Sequence, residues 1–157
     1  MYTLSAAEVE GRSIVIVALI KTVEIFLLLV YLSYEDIRFL KISTYLLLAG
    51  FVTAVIFLIW GRELSVGEYL AGGCLGVLFL LCGTVSENIG TGDGALIMLL
   101  GLLLGIQQLI SVLFVSLFLC AAAAAVLCAA GKVKRGSRLP FVPFLLGGFC
   151  ITVFAGR

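Results

Sequence analysis

Residues 88–104 read NIGTGDGALIMLLGLLL, in which three glycines bracket a single acid, Asp93, directly before an apolar run. Because glycine permits positive φ and the close approach of another backbone, this segment can hold a carboxylate beside an extended peptide. An aspartate before a helix is also a common N-cap, and the segment alone supports both interpretations about equally. The choice depends on which other acid the fold brings near Asp93.

The composition around this segment is that of a membrane protein. Of 157 residues, 63% are hydrophobic and 12% are charged, and the mean hydropathy is +1.29. Such a chain is too apolar for a soluble or a disordered protein, and a net charge of +1 offers no electrostatic footprint for nucleic acid.

The absence of histidine from the sequence limits the chemistry. It excludes Ser-His-Asp and Cys-His nucleophiles, HExxH zinc sites and histidine-ligated haem. Any reaction must therefore use carboxylates, lysine, thiols or the backbone.

The apolar segments predict an all-α, polytopic helical membrane protein with about six transmembrane helices. The predicted spans are 13–33, 44–60, 66–83, 94–106, 108–130 and 139–156. The fourth and fifth spans form either a helical hairpin or, as the less favoured alternative, one long bent helix. The first span is too long for a signal-peptide core and should remain in the protein. Residues 1–157 are expected to form a single integral membrane domain.

The distribution of Lys and Arg predicts the orientation of the chain. The loops at 34–43, 84–93 and 131–138 share one side and hold six of these residues, against three on the other side. Because cytoplasmic loops carry the excess, we expect these loops to be cytoplasmic and both termini to be outside. The same parity places Asp36 and Asp93 at one face of the membrane.

Asp36 and Asp93 are the only aspartates in the sequence. Taken alone, Asp36 is more simply interpreted as an interfacial residue paired with Arg38 or Lys41. Two carboxylates that meet at a partly dehydrated membrane edge cannot both ionise easily, so one holds a proton while the other stays charged. The charged member can activate water and the protonated member can polarise a peptide carbonyl, as in aspartic proteolysis.

Two GxxxG pairs lie in the third and fourth spans, Gly72 with Gly76 and Gly101 with Gly105. Such pairs let transmembrane helices pack backbone to backbone, although glycine is frequent in membrane helices generally. We expect them to bring the Asp93 helix against the helices near Asp36.

Three blocks of the sequence resemble the type IV prepilin peptidases, which are intramembrane aspartyl proteases of the Gly-x-Gly-Asp kind. Residues 36–43, DIRFLKIS, resemble the first-aspartate loop of that family, and residues 90–93, GTGD, resemble its second-aspartate motif. Residues 134–145, KRGSRLPFVPFL, resemble its basic, Pro-Phe-rich entry into the last span. The blocks follow the family's order and cover about residues 30–147.

The resemblance implies an aspartic endopeptidase that cuts the basic leader from prepilins or pseudopilins at the cytoplasmic face of a prokaryotic cell membrane. Asp36 and Asp93 match the catalytic pair, and Gly90, Gly92 and Gly94 match the support of the second aspartate. The implied partners are a prepilin-like protein substrate and membrane lipid, with no nucleic acid and no small-molecule cofactor.

Longer relatives in that family carry a cytosolic four-cysteine zinc domain and methylate the new pilin N-terminus. Here 12 residues precede the first span, and the five cysteines form no CxxC. We therefore expect the minimal, peptidase-only form, without an N-terminal zinc or methyltransferase domain and without metal ligands.

Four other charged residues have weaker predicted roles. Glu35 and Glu87 flank the two motifs and are candidate contacts for the basic leader, although loop solvation explains each one singly. Lys21 and Glu24 lie three residues apart in the first span, so we expect a structural pair, with a proton path as the minority interpretation. The basic segment 132–138 is expected mainly to fix topology, with binding of anionic lipid as a lesser role.

Two other functions fit parts of the sequence. A small proton-coupled transporter, or a pilus or secretion assembly subunit without protease activity, would use Asp36, Asp93 and the Lys21–Glu24 pair as proton sites. A presenilin-like protease shares Gly-x-Gly-Asp, but residues 139–141 read LPF where that group has Pro-Ala-Leu.

Overall fold

The secondary structure in the described part of the chain is entirely helical. The computed structural model describes residues 6–39, 42–60, 64–85, 91–131 and 140–155. Its helices are α1 Ala6–Phe39, α2 Thr44–Trp60, α3 Val66–Val85, α4 Thr91–Leu104, α5 Ile106–Ala129 and α6 Val142–Ala155. Each corresponds to one predicted span, which confirms the all-α class and the order of the helices.

The helices differ in their ability to cross a bilayer. Within the part of the chain that the structure describes, three helical segments are long and apolar enough to do so, namely Gly11–Phe39, Val66–Thr84 and Ile106–Ala129. Helices α4 and α6 have 14 residues each, which corresponds to about 21 Å, against a hydrocarbon core of about 30 Å. The protein is therefore a helical membrane protein in which short helices pack among longer ones.

Helix α4 forms the centre of the core. Every residue from 92 to 104 is buried or half-buried, and none of six large apolar side chains exceeds 4% exposure: Leu96, Ile97, Leu99, Leu100, Leu103 and Leu104. A helix that is apolar and covered all round belongs inside a bundle. The position of α4 therefore determines where Asp93, in its first turn, lies.

Helices α3 and α4 approach each other backbone to backbone. A Cβ atom on Gly101 would collide with the carbonyl oxygen of Gly72, and one on Gly76 would collide with the backbone of Met98. Nearer the start of α4, a Cβ on Gly94 would lie 2.6 Å from the Cα of Leu80. Along these contacts, residue numbers rise in α3 while they fall in α4, so the two helices are antiparallel. Small residues set the distance between them.

Gly105 has a role beyond the one its spacing predicts. A Cβ there would contact Leu64 and, in the first turn of α3, Glu68, but Gly105 also separates α4 from α5 and adopts φ 77 and ψ 169. This backbone conformation is open to glycine and strained for other residues. The fourth and fifth spans are thus two helices joined through one residue, and the alternative of one long bent helix is wrong.

The predicted loop at 34–43 is shorter than expected because α1 continues through Phe39. Its last turns contain the sequence YEDIRF, in which Arg38 donates a hydrogen bond to the hydroxyl of Tyr34 one turn earlier. Asp36 therefore lies on a helix and not in a flexible loop. A rigid helix gives its carboxylate a fixed direction.

Alanine at Gly101 is expected to destabilise the protein by about 1–3 kcal/mol, because its Cβ would force α3 and α4 apart. The measurement is the midpoint of thermal unfolding in detergent. Gly11→Ala is the matched control, since nothing lies within 4 Å of a Cβ at that position. Equal unfolding midpoints for the two variants would contradict this account of the α3–α4 contact.

Candidate active site

Asp36 is a buried acid that caps a distant helix. Its side chain is 6% exposed, and its Oδ2 accepts a hydrogen bond of 3.0 Å from the backbone N–H of Val142, the first residue of α6. The backbone N–H of Phe141 also acts on this carboxylate. Asp36 thus joins the end of α1 to the beginning of α6, 106 residues later.

The sequence at the start of α6 explains why this contact forms. Pro140 and Pro143 have no N–H group, and the N–H groups of Phe144 and Leu145 bond to the carbonyl of Phe141 at 3.0 and 3.1 Å. The first N–H groups of a helix have no partner within the helix and need an external acceptor. Here that acceptor is the Asp36 carboxylate.

The predicted pairing of Asp36 with Arg38 is wrong. Arg38 donates to the Tyr34 hydroxyl at 2.6 Å, and its guanidinium lies over the rings of Tyr34 and Phe39. Lys41, the other partner considered, lies outside the described residues. Asp36 therefore uses backbone donors of α6.

Asp93 lies half-buried in the first turn of α4, two residues after the helix begins. It is therefore inside the helix and not its N-cap, at a position where the helix dipole favours a negative charge. The charge of Asp36 acts on the Asp93 carboxyl. The structure thus brings the two predicted acids together at one end of the bundle.

Gly92 and Gly94 bring the start of α4 close to its neighbours. A Cβ on Gly92 would lie 3.1–3.4 Å from side-chain atoms of Ile42, which follows α1. Gly94 is buried against Leu80 of α3. The segment carrying Asp93 therefore touches both the connection after Asp36 and α3, while Gly90 lies outside the described residues.

Glu35 fastens the connection between α1 and α2. Its Oε2 accepts a hydrogen bond of 3.1 Å from the N–H of Ser43, and the carbonyl of Ser43 accepts one from Leu47 in the first turn of α2. The contact with a basic leader stays a prediction for Glu35. Glu87 and the basic segment 132–138 lie outside the described residues.

Lys21 and Glu24 are remote from the two aspartates. Lys21 is buried, and its Nζ lies 5.5 Å from the ring centroid of Tyr69, a buried residue of α3. Fifteen residues of helix separate Lys21 from Asp36, which amounts to about 22 Å. The structure therefore does not join this pair to the acidic site.

The Val142 N–H was not among the predicted site residues, although the sequence carries a signal for it. The motif Pro-x-x-Pro at 140–143 leaves only two backbone donors at the entry to α6. Two unpaired donors that begin a buried helix require an acceptor. The sequence does not show that this acceptor is Asp36.

The fold and the site together define a class, a helical membrane protein with two interacting acidic side chains at one end of its bundle. A family model described as the type IV leader peptidase family matches residues 24–125, which include both aspartates. This match covers more than half of the chain. The chain belongs to the type IV leader peptidase family.

Two curated proteins are similar in sequence to part of this chain. They are the prepilin leader peptidase/N-methyltransferases of Burkholderia pseudomallei strains 1026b and K96243, each 34% identical over 107 residues. The alignments cover 62% of this chain and 34% of each relative, so the chain matches about a third of their length. No solved structure matches the chain significantly.

The buried bond between Asp36 and α6 predicts different stabilities for two substitutions. Asparagine at position 36 retains an oxygen that can accept the Val142 N–H, whereas leucine leaves that buried donor without an acceptor. Asp36→Leu should therefore be less stable than Asp36→Asn by about 1–3 kcal/mol. Thermal unfolding in detergent measures the difference, and a leucine variant as stable as the asparagine variant would refute it.

Proposed function

We propose that this protein is a membrane-embedded aspartic endopeptidase that removes the basic leader peptide from prepilin or pseudopilin precursors. Membership of the type IV leader peptidase family supports peptidase chemistry, and the relatives are named prepilin leader peptidases. The observation that carries the proposal is that Asp36, near the end of α1, and Asp93, in the first turn of α4, lie near enough for their charges to interact. This pair would constitute the catalytic site.

Two neighbouring carboxylates can carry out peptide hydrolysis without a cofactor. Because like charges at close range oppose each other, the pair shares one proton. The ionised member removes a proton from water as the oxygen attacks the scissile carbonyl carbon, and the protonated member gives its proton to the carbonyl oxygen. The tetrahedral intermediate then loses the amine, which leaves with a proton from the pair.

The two acids differ in their exposure, which bears on how a substrate would reach the pair. Asp36 is nearly inaccessible, whereas Asp93 is half-buried and retains contact with the outside of the bundle. A peptide or a water molecule can therefore approach from the Asp93 side. Asp36 would act on a molecule that enters from that side.

Aromatic side chains near the site support its position at a membrane–water boundary. Tyr34, Phe39 and Tyr45 are exposed, Tyr45 to 87%, and they lie around the end of α1 and the start of α2. Exposed Tyr residues concentrate where hydrocarbon meets headgroups. A prepilin changes from a basic leader to an apolar helix at the same boundary, which would bring its scissile bond near the pair.

The proton-transporter alternative is less well supported. It would connect the aspartates with Lys21 and Glu24, but Lys21 lies about 22 Å along α1 from Asp36 and packs on Tyr69. Family membership also favours the peptidase. We therefore keep the peptidase as the proposed function.

Substitution of either aspartate by asparagine should abolish cleavage. Co-expression with a prepilin-like substrate gives the readout, since removal of the leader changes its electrophoretic mobility. We expect Asp36→Asn and Asp93→Asn each to reduce the cleavage rate at least about 1,000-fold, because residues that act as a unit lose most activity when one is removed. Retained cleavage in either variant would refute the mechanism.

Glu24→Gln is the matched control for loss of a carboxylate outside the pair. Under the peptidase proposal its cleavage rate should equal that of the unmodified protein. Under the transporter alternative, the same substitution should reduce proton flux in liposomes while proteolysis is absent throughout. The two readouts therefore separate the proposed function from its rival.

The orientation also has a direct test. The excess of Lys and Arg in the loops beside the aspartates supports a cytoplasmic site with both termini outside. Alkaline phosphatase fused to the C-terminus should then be active, and green fluorescent protein fused there should be dark. Bright fluorescence with inactive phosphatase would reverse the orientation and place the catalytic pair on the outer face.

A further inference from the structure

We infer that the N-terminus of α6 selects Asp36 as the ionised, water-activating member of the catalytic pair and leaves Asp93 as the proton-bearing member. The inference rests on the proposed function, which does not by itself say which acid has which role. It is carried by the buried hydrogen bond of 3.0 Å from the Val142 N–H to Asp36 Oδ2.

The donors at the start of α6 favour a negative charge on Asp36. An N–H group that donates to a carboxylate stabilises its ionised form, and the positive end of a helix dipole adds to this effect. The flanking prolines, Pro140 and Pro143, confine the donors to Phe141 and Val142. Both of these act on Asp36. Because Asp93 also lies at the positive end of a helix dipole, that of α4, the assignment depends on these two backbone donors and not on the dipole alone.

The other charged groups around Asp36 do not oppose this assignment. On its own helix, Glu35 is bonded to the Ser43 N–H, and Arg38 is held by Tyr34. The described residues of α2 and α6, 44–60 and 140–155, contain no charged side chain. In the described part of the chain, Asp93 on α4 is the acid that interacts with Asp36.

The geometry also separates the two oxygens of Asp36. Oδ2 accepts the Val142 N–H, and in the inferred arrangement Oδ1 would be the oxygen that acts on water. A carboxylate fixed by one oxygen presents the other in a constant direction, which lowers the cost of orienting the base. The Val142 N–H is thus a positioning group, which acts on the reaction through Asp36.

The test removes the N–H of Val142 and measures cleavage as a function of pH. Val142→Pro deletes the donor at the first residue of α6, where proline fits a helix. Val142→Ala is the matched control, since it loses the side chain and keeps the N–H. Replacement of Val142 by its α-hydroxy analogue through nonsense suppression removes the same N–H with the side chain unchanged, and serves if the proline variant does not fold.

Loss of the donor should make Asp36 harder to ionise. We expect kcat/KM at neutral pH to fall about tenfold or more relative to Val142→Ala, and the acidic limb of the pH–rate profile to move upward by about one pH unit. The direction follows because the base must be ionised to act. When its ionised form is less stabilised, the base becomes protonated at a higher pH as the pH is lowered, and activity is lost there.

The outcomes separate this inference from the proposed function. A proline or hydroxy variant with the acidic limb of Val142→Ala would overturn the assignment of roles, while loss of cleavage in Asp36→Asn and Asp93→Asn would still support the peptidase. Retained cleavage in either asparagine variant would overturn the proposed function itself. If the variants without the Val142 N–H had a lower kcat/KM but an unchanged acidic limb, the N–H would have a structural role only, and the inference would also be refuted.

Discussion

A buried carboxylate and an uncapped helix each carry a large free-energy cost inside a membrane protein, and in this fold each reduces the cost of the other. A charge or an unpaired N–H group taken out of water without a partner is unfavourable by several kcal/mol. Asp36 and the first N–H groups of α6 meet in the interior, at 3.0 Å for the Val142 bond. This hydrogen bond joins the end of the first helix to the start of the last, at the end of the bundle where the acids lie.

The position of the second acid depends on a different constraint, the separation of α3 and α4. Gly72 and Gly101 leave no room for a Cβ between the helices, so α4 lies deep among its neighbours. Gly92 likewise leaves little room for a Cβ, in this case beside the side chain of Ile42. The glycines therefore fix the depth of Asp93, while the helix cap fixes the direction of Asp36.

The sequence predicts the helices well because hydropathy reports burial from water, and all six predicted spans correspond to helices. It is less accurate at helix ends. Residues 34–39 look like a polar loop, but an Arg38–Tyr34 bond along α1 and a distant partner for Asp36 keep them helical. Gly105 shares the spacing of a packing motif, but its positive φ makes it the junction of two helices. Neither a contact across 106 residues nor a backbone angle can be read from local spacing.

The unequal lengths of the helices extend away from the two acids. Helix α4 is about 21 Å long, whereas α1, with 34 residues, measures about 51 Å. Asp36 lies three residues before the end of α1, and Asp93 lies in the first turn of α4, so the additional length of α1 extends from the other end of the bundle. Hydrolysis consumes one water molecule for every bond cut, and under the proposed function that molecule would reach the pair without passing along the apolar length of α1.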